Sequence, residues 1–279
     1  MKEFIKVDVN FILFASPCIF VDENQVSMSY DLSHSLLHLP LMSIPYFYEP
    51  FSDVSHIILS ENSVHHALHV LRMKTGSELF VTNGRGEAAR CSIIGTSKKD
   101  CHIEVVESPI ASSKQQASKL HIAISFTKNP ARIEWFLEKA TEIGIQAITP
   151  LITKRSEKIH FKKERFEKIM VSAMLQSQQT FLPTLHEATL LEDVIKGIEQ
   201  VKCIAHCEED KVRIQLKDGI QPQKDTLILI GPEGDFTPEE IHLCLQQQCK
   251  PVSLGGNRLR TETAGLFACV VFNAQIATI

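Results

Sequence analysis

The chain has 279 residues, enough for two domains of the usual size. Its 44% hydrophobic and 22% charged residues exclude disorder as the main state. A formal net charge of -4 excludes nucleic-acid binding through a global basic excess, so any RNA contact must rest on a local patch. No run of about 18 apolar residues occurs, so no membrane span is expected. The eight cysteines contain no C-x-x-C pair and read as reduced, mostly buried thiols, with no metal expected. The first residues mix Lys2, Glu3, Lys6 and Asp8, a poor secretory signal, so a cytoplasmic protein is expected.

Residues 1–41 carry no period and no motif. They read as an N-terminal extension, either lineage-specific or upstream of the natural start, since Met28 and Met42 both offer one. A first domain is placed at 42–112. Within it, Val64, Ala67, Leu68 and Leu71 share one helical face, predicting a helix over Ser63–Leu71 that stops before Gly76. Leu79–Val81, the turn Asn83-Gly84-Arg85-Gly86, Ala89–Ile94 and His102–Val106 then predict short strands joined by a tight turn, the pattern of a small β-barrel. His65, His66, His69, Arg72 and Lys74 lie on or beside the helix, with Arg85 and Arg90 near in sequence; this cluster is the candidate RNA patch. Gly84-x-Gly86-x-x-Ala89 mimics a dinucleotide-binding motif but leads into a strand rather than a helix, which argues against that role.

Ala111–Lys119, ASSKQQASK, has linker composition, and a second domain is placed at 119–279. Strands are predicted at Leu120–Phe126, Ala147–Ile152, Lys202–His206, Thr226–Ile230 and Pro251–Leu254. Helices are predicted at Ala131–Ile143, Glu164–Gln179, Leu190–Gln200, Pro238–Gln247 and Thr261–Ala277. This alternation predicts an α/β domain with a mostly parallel sheet, whose ligands sit at the carboxyl ends of the strands.

Two such ends carry unusual loops. Ile230-Gly231-Pro232-Glu233-Gly234 follows an apolar strand and leads to a helix with Thr237 as N-cap, Pro238 at its first position and Glu240 completing a capping box. Leu254-Gly255-Gly256-Asn257-Arg258-Leu259-Arg260-Thr261-Glu262-Thr263 crowds two arginines near a helix N-terminus, where the dipole favours anions. A feature that works against local stability points to function. The sequence contains neither a P-loop nor a G-x-S-x-G, so nucleotide hydrolysis and serine hydrolysis are not indicated.

Gly231-Pro232-Glu233-Gly234 followed by Leu254-Gly255 and Leu259-Arg260-Thr261-Glu262-Thr263-Ala264 resembles the RsmE family closely. So do Glu138-Lys139-Ala140-Thr141-Glu142-Ile143-Gly144 with Pro150, Gln176-Ser177 with Pro183, and His65-His66 with Val70-Leu71-Arg72 and Gly76. The resemblance runs from about Met42 to Ala277. It implies a C-terminal SPOUT-type α/β methyltransferase domain with a trefoil knot, and an N-terminal PUA-like RNA-binding β-barrel. The implied activity is methylation of N3 of a uridine in small-subunit (16S) ribosomal RNA by a homodimer. S-adenosyl-L-methionine is the implied cofactor. Another RNA such as tRNA, or a non-catalytic assembly role, are the competing readings. Residues expected around the cofactor are His206, Ile230, Gly231, Pro232, Glu233, Gly234, Leu254, Gly255, Leu259, Arg260 and Thr263. Arg260 is expected to face the uracil carbonyl that gains charge. Glu262 is expected to serve as base or, preferably, to orient Arg260. His65, His66 and Arg72 are expected to contact RNA, and Glu142 to be structural. The sequence departs from the family pattern at Arg258, where many relatives carry Ile or Val, near Asn257, where a basic residue is often found, and at Gln178-Gln179, where relatives often carry a basic residue.

Overall fold

Short apolar runs punctuated by turn residues form the strands of a computed structural model that describes residues 18–22, 25–29, 44–97, 100–108, 118–157, 162–208 and 212–276. Cys18–Asp22 (β1) and Gln25–Ser29 (β2) pair antiparallel and belong to a unit of their own. The rest of the 1–41 extension and residues 111–117 of the expected linker lie outside the described residues.

The second unit, Ile44–Ile279, begins with Tyr46–Tyr48 (β3), a strand that alternation did not reveal. Glu61–His65 (α1) is capped by the Ser60 side chain and continues as a π-helical turn, His66–Val70. The chain leaves that turn through Arg72, which adopts a left-handed φ of 55°. Glu78–Thr82 (β4), Ala88–Thr96 (β5) and Cys101–Glu107 (β6) follow. They form a four-stranded sheet in the order β3-β4-β5-β6, bent by register shifts at Arg90/Cys91 and Ile93/Gly95. Phe47, Leu79, Val81, Ala89, Cys91 and Ile93 close its core against Val64 and Ala67. The Gly84-x-Gly86 segment is the β4–β5 hairpin turn, as the following strand implied.

Leu120–Ile124 (β7), Ala147–Ile152 (β8), Thr184–Leu185 (β9), Thr189–Leu190 (β10), Val201–Ala205 (β11), Ile214–Gln215 (β12), Thr226–Ile230 (β13) and Lys250–Ser253 (β14) build a parallel sheet. Its order is β10-β8-β7-β13-β11-β14-β12, with β9 also on β8. The helices are Pro130–Ile143 (α2), Lys163–Gln176 (α3), Leu191–Val194 (α4), Leu216–Gly219 (α5), Pro238–Gln246 (α6) and Thr261–Ile276 (α7). Every residue of β13 is buried, as a central parallel strand requires. One core forms on the face covered by α2, α3 and α7, including Ile122, Phe136, Met170, Ile228 and Phe272. The other face packs Leu227, Leu229, Phe236 and Ile241.

Two predicted helices are shorter than expected. Leu190–Gln200 reduces to α4 because Gly197 closes a turn on the Val194 carbonyl at 3.0 Å. Glu164–Gln179 stops at Gln176, and Gln178 turns left-handed at φ 56°. That turn carries the chain back to the four-stranded β3-β4-β5-β6 sheet, the first sheet of this unit. Gly86 N–H donates to Thr180 O at 2.9 Å, Leu182 N–H donates to Gly84 O at 2.8 Å, and Arg85 bridges Phe181 antiparallel.

Candidate active site

β11, β13 and β14 are neighbours, and their carboxyl ends open into one cleft of about 340 Å³. His206, Ile230, Gly231, Pro232, Glu233, Leu254, Gly255, Leu259 and Arg260 all line it, so most of the residues expected around a cofactor come together. Gly234 and Thr263 do not line it. Gly234 instead presents its carbonyl to Arg155, and Thr263 borders an adjacent hollow.

The two loops are held by contacts that explain their residue types. Gly231 lies under the Phe236 ring, where a Cβ would stand 3.0 Å from a ring carbon. Its carbonyl accepts from the buried Thr261 hydroxyl at 3.3 Å, tying the first loop to the start of α7. On the other side, Arg155 Nη1 donates to Gly234 O at 2.7 Å and to Phe236 O at 3.3 Å. Asp235 sits at a left-handed φ of 63° and accepts the Cys207 N–H at 2.7 Å, fixing the His206–Cys207 turn. The capping box at Thr237 forms as expected, with Glu240 N–H on Thr237 Oγ1 at 3.3 Å and Thr237 N–H on Glu240 Oε2 at 2.8 Å. Glu240 Oε1 also accepts from Lys154 N–H at 2.7 Å, pinning α6 to the end of β8.

The cleft suits a flat heteroaromatic ring with a charged tail. Ile230, Leu254, Leu259 and Ala264 give it apolar walls, and the loop backbones offer donors and acceptors. Gly255, at φ 119°, has open space where a Cβ would project. Arg213, Arg258 and Arg260 supply cationic groups for a carboxylate. Arg213 donates to the His206 carbonyl, so it also closes the β11 end of the site.

Glu262 departs from expectation. It is only 6% exposed, and its ion pair is with Arg132 Nε at 3.7 Å rather than with Arg260. Arg132, on the first turn of α2, also donates from Nη1 to Glu233 Oε1 at 3.2 Å. Arg260 is exposed at the cleft. Arg132, Arg155 and Asp235 were missed by sequence reasoning. Asp235 stood inside the loop already singled out, whereas Arg132 and Arg155 had no local signal.

In the first sheet's domain, His65, His66, His69, Arg72 and Lys74 are exposed together, with the His65 and His69 rings 5.0 Å apart. Two basic residues leave the expected patch. Arg90 is engaged with Glu78 and Glu107 at 3.8 and 3.9 Å, and Arg85 Nη2 donates to Phe51 O at 2.6 Å. Glu142 accepts from Lys139 at 2.8 Å, an i,i+3 pair on α2. Gln179 donates to the Thr141 and Glu142 carbonyls at 3.0 and 2.7 Å, so it anchors the end of α2.

Residues 114–273 match the model of an RNA methyltransferase domain, and residues 59–106 that of an RNA methyltransferase PUA domain. The chain is 27% identical over 230 residues to ribosomal RNA small subunit methyltransferase E of Bacillus subtilis, covering 78% of this chain and 89% of that protein. A crystal structure of a probable rRNA-methyltransferase from Porphyromonas gingivalis superposes with TM-score 0.79 and 37% identity, over 84% of this chain and 99% of that one. Ribosomal RNA small subunit methyltransferase E of Neisseria gonorrhoeae, bound to S-adenosyl methionine, gives TM-score 0.72 and 25% identity, over 83% and 97% of the two chains.

Proposed function

The chain belongs to the RsmE family of RNA methyltransferases, and on that premise we propose that it methylates N3 of a uridine in small-subunit (16S) ribosomal RNA, using S-adenosyl-L-methionine. The observation that carries the reading is the cleft between the Gly231 and Leu254–Leu259 loops, with Arg260 at its wall and Glu262 at the start of the same helix. His206, Ile230, Gly231, Pro232, Glu233, Leu254, Gly255 and Leu259 would hold the cofactor, which when bound supplies an electrophilic methyl group on a sulfonium.

Uracil N3 is a poor nucleophile until its proton leaves. Glu262 is the carboxylate in this loop, and its Oε2 is buried without a hydrogen-bond partner. We assign it the N3 proton. Loss of that proton leaves an electron pair on N3, which would take the sulfonium methyl of a bound cofactor, the S–C bonding pair going to sulfur. Glu262 then returns the proton to water. Arg260, on the wall of the adjoining cleft, would oppose through its charge the negative charge that develops on the uracil. A placed base contributes typically about 10²–10⁴-fold.

His65, His66 and Arg72 would contact the RNA. Their support is shared exposure beside a π-helical turn, a feature frequent at functional sites. A homodimer is proposed from the apolar stripe on α7, where Phe267 and Val270 are 41% and 49% exposed. Domains at 42–112 and 119–279, a knotted C-terminal end and a cytoplasmic location belong to the same proposal. Among the described residues, no helix is long and apolar enough to cross a membrane.

The test is methyl transfer from labelled S-adenosylmethionine to small subunits lacking the modification, followed by nucleoside identification. Labelled 3-methyluridine is expected. Another labelled nucleoside, label accepted only by tRNA, or cofactor binding without any transfer, overturns this assignment.

A further inference from the structure

Beside the cofactor cleft lies a second hollow of about 380 Å³, lined by Ala131, Arg132, Trp135, Glu262 and Thr263. It sits between the first turns of α2 and α7. Three observations single it out. First, Glu262 lines this hollow, is 94% buried, and has one buried carboxylate oxygen without a hydrogen-bond partner. A buried acceptor left unsatisfied is costly, and a fold retains one where a ligand supplies the donor. Second, the Arg132 guanidinium lies between the two cavities, reaching Glu233 of the cleft at 3.2 Å and Glu262 of the hollow at 3.7 Å. A guanidinium has five donors in a fixed fork, and these two contacts leave others free to donate. Third, Trp135, the chain's sole tryptophan, lines this hollow and is 41% exposed.

We propose that this hollow receives the target base, and that Arg132 is a catalytic residue that binds the uracil edge. Uracil presents acceptor, donor, acceptor along O4, N3–H and O2. The unpartnered Glu262 oxygen matches the N3–H donor, and a free Arg132 N–H matches a flanking carbonyl oxygen. Trp135 offers the aromatic surface on which an unstacked base rests. The other contact of Arg132, Glu233 Oε1 at 3.2 Å, holds the guanidinium in place beside the hollow. This rests on the proposed methylation of a uridine and adds to it where the base is held and by which residues.

The experiment compares Arg132→Ala, Arg132→Lys, Trp135→Phe and Trp135→Ala with the parent chain. The readouts are single-turnover methyl transfer to undermethylated small subunits, calorimetric binding of S-adenosylmethionine, and thermal melting. Arg132→Ala is expected to lower the transfer rate about 100-fold or more, with cofactor affinity held within about twofold. Arg132→Lys keeps the charge beside Glu262, so the fold is retained, but loses the fork and remains at least about tenfold slow. Trp135→Ala raises the KM for subunits about tenfold, and Trp135→Phe restores it. Rates within threefold of the parent for both Arg132 variants overturn the proposal. So does a loss of cofactor affinity equal to the loss of rate, which places Arg132 in the cofactor cleft alone. If the parent chain binds the cofactor but labels no uridine, the underlying reading has failed instead. The emission of Trp135 gives a readout apart from turnover. With S-adenosylhomocysteine bound, a uridine-containing oligoribonucleotide quenches it in the parent, whereas RNA that binds by anisotropy without quenching contradicts the base slot.

Discussion

Asp235 and Cys207 join two loops of the cleft: Asp235 Oδ2 accepts the Cys207 N–H at 2.7 Å while Oδ1 accepts the Phe236 N–H at 2.8 Å. One side chain therefore sets both the turn after β13 and the turn after β11. Asp235→Ala removes both acceptors and leaves a residue at φ 63° without the local hydrogen bonds that favour it. The expected loss is about 1–3 kcal/mol. Melting should fall by several degrees, and calorimetry should give cofactor binding at least about tenfold weaker. Unchanged affinity in a folded Asp235→Ala would mean that this link does not shape the cleft.

Gly265 marks where α7 meets the sheet most closely. A Cβ there would stand 2.8 Å from both Ile124 Cδ1 and Phe136 Cε2. Alanine normally gains about 1 kcal/mol over glycine inside a helix. Here Ile124 and Phe136 are fully buried and have nowhere to move, so overpacking of about 1–3 kcal/mol wins. Gly265→Ala is expected to lower the urea midpoint, and Gly265→Val to lower it further. A raised midpoint for alanine would show that the helix slides to make room.

The contact between the two sheets turns on Gly86. It holds φ 98°, and a Cβ would clash with Phe181 Cζ. Gly86→Ala should loosen the first sheet's domain from the second while sparing the cleft. The expected outcome is a raised KM for small subunits with cofactor affinity unchanged. Equal damage to both would show that the strain spreads through Thr180 and Phe181 into the catalytic sheet.

Acid should weaken the fold in two stages. Burial, with His121 and Lys163 nearby, holds His186 below its ordinary value near 6.5. The hydrogen bond from His121 at 2.6 Å holds Glu199 below its ordinary value near 4.5. Each group binds its proton more readily unfolded than folded, so each adds stability at high pH that acid removes. The urea midpoint should decline as pH falls below about 6.5 and again below about 4.5, through each group's depressed folded value. His186→Gln should flatten the first decline and Glu199→Gln the second. A midpoint constant from pH 7 to 4 would contradict both.

The parts legible in sequence were those with a local cause. The Thr237–Glu240 capping box, the all-apolar β13 and the glycine-bearing loops each follow from residues within a few positions of one another. Hence the two loops that border the cleft could be singled out in advance, while the list of residues expected around a cofactor came from the family resemblance. The pairing of Arg132 with Glu233 spans 101 positions and that of Arg155 with Gly234 spans 79, so neither leaves a periodic trace. β9, β10 and β12 have two residues each, too few to show alternation. The expected Glu262–Arg260 pair failed for a related reason. Nearness in sequence suggested contact, but the two side chains face different cavities, and the guanidinium that reaches Glu262 comes from α2.

The antiparallel link between Arg85 and Phe181, flanked by its two backbone hydrogen bonds, also bears on how the molecule tumbles. Domains joined only by a polar tether reorient separately, and a ligand caught by one must search for the other. Here main-chain bonds fix the small sheet to the large one, so both should relax with one rotational correlation time. An RNA strand gripped at His65 and Arg72 would then meet the cleft at a set distance and angle. The orientational search is completed when the chain folds, and each docking event begins with its geometry already decided.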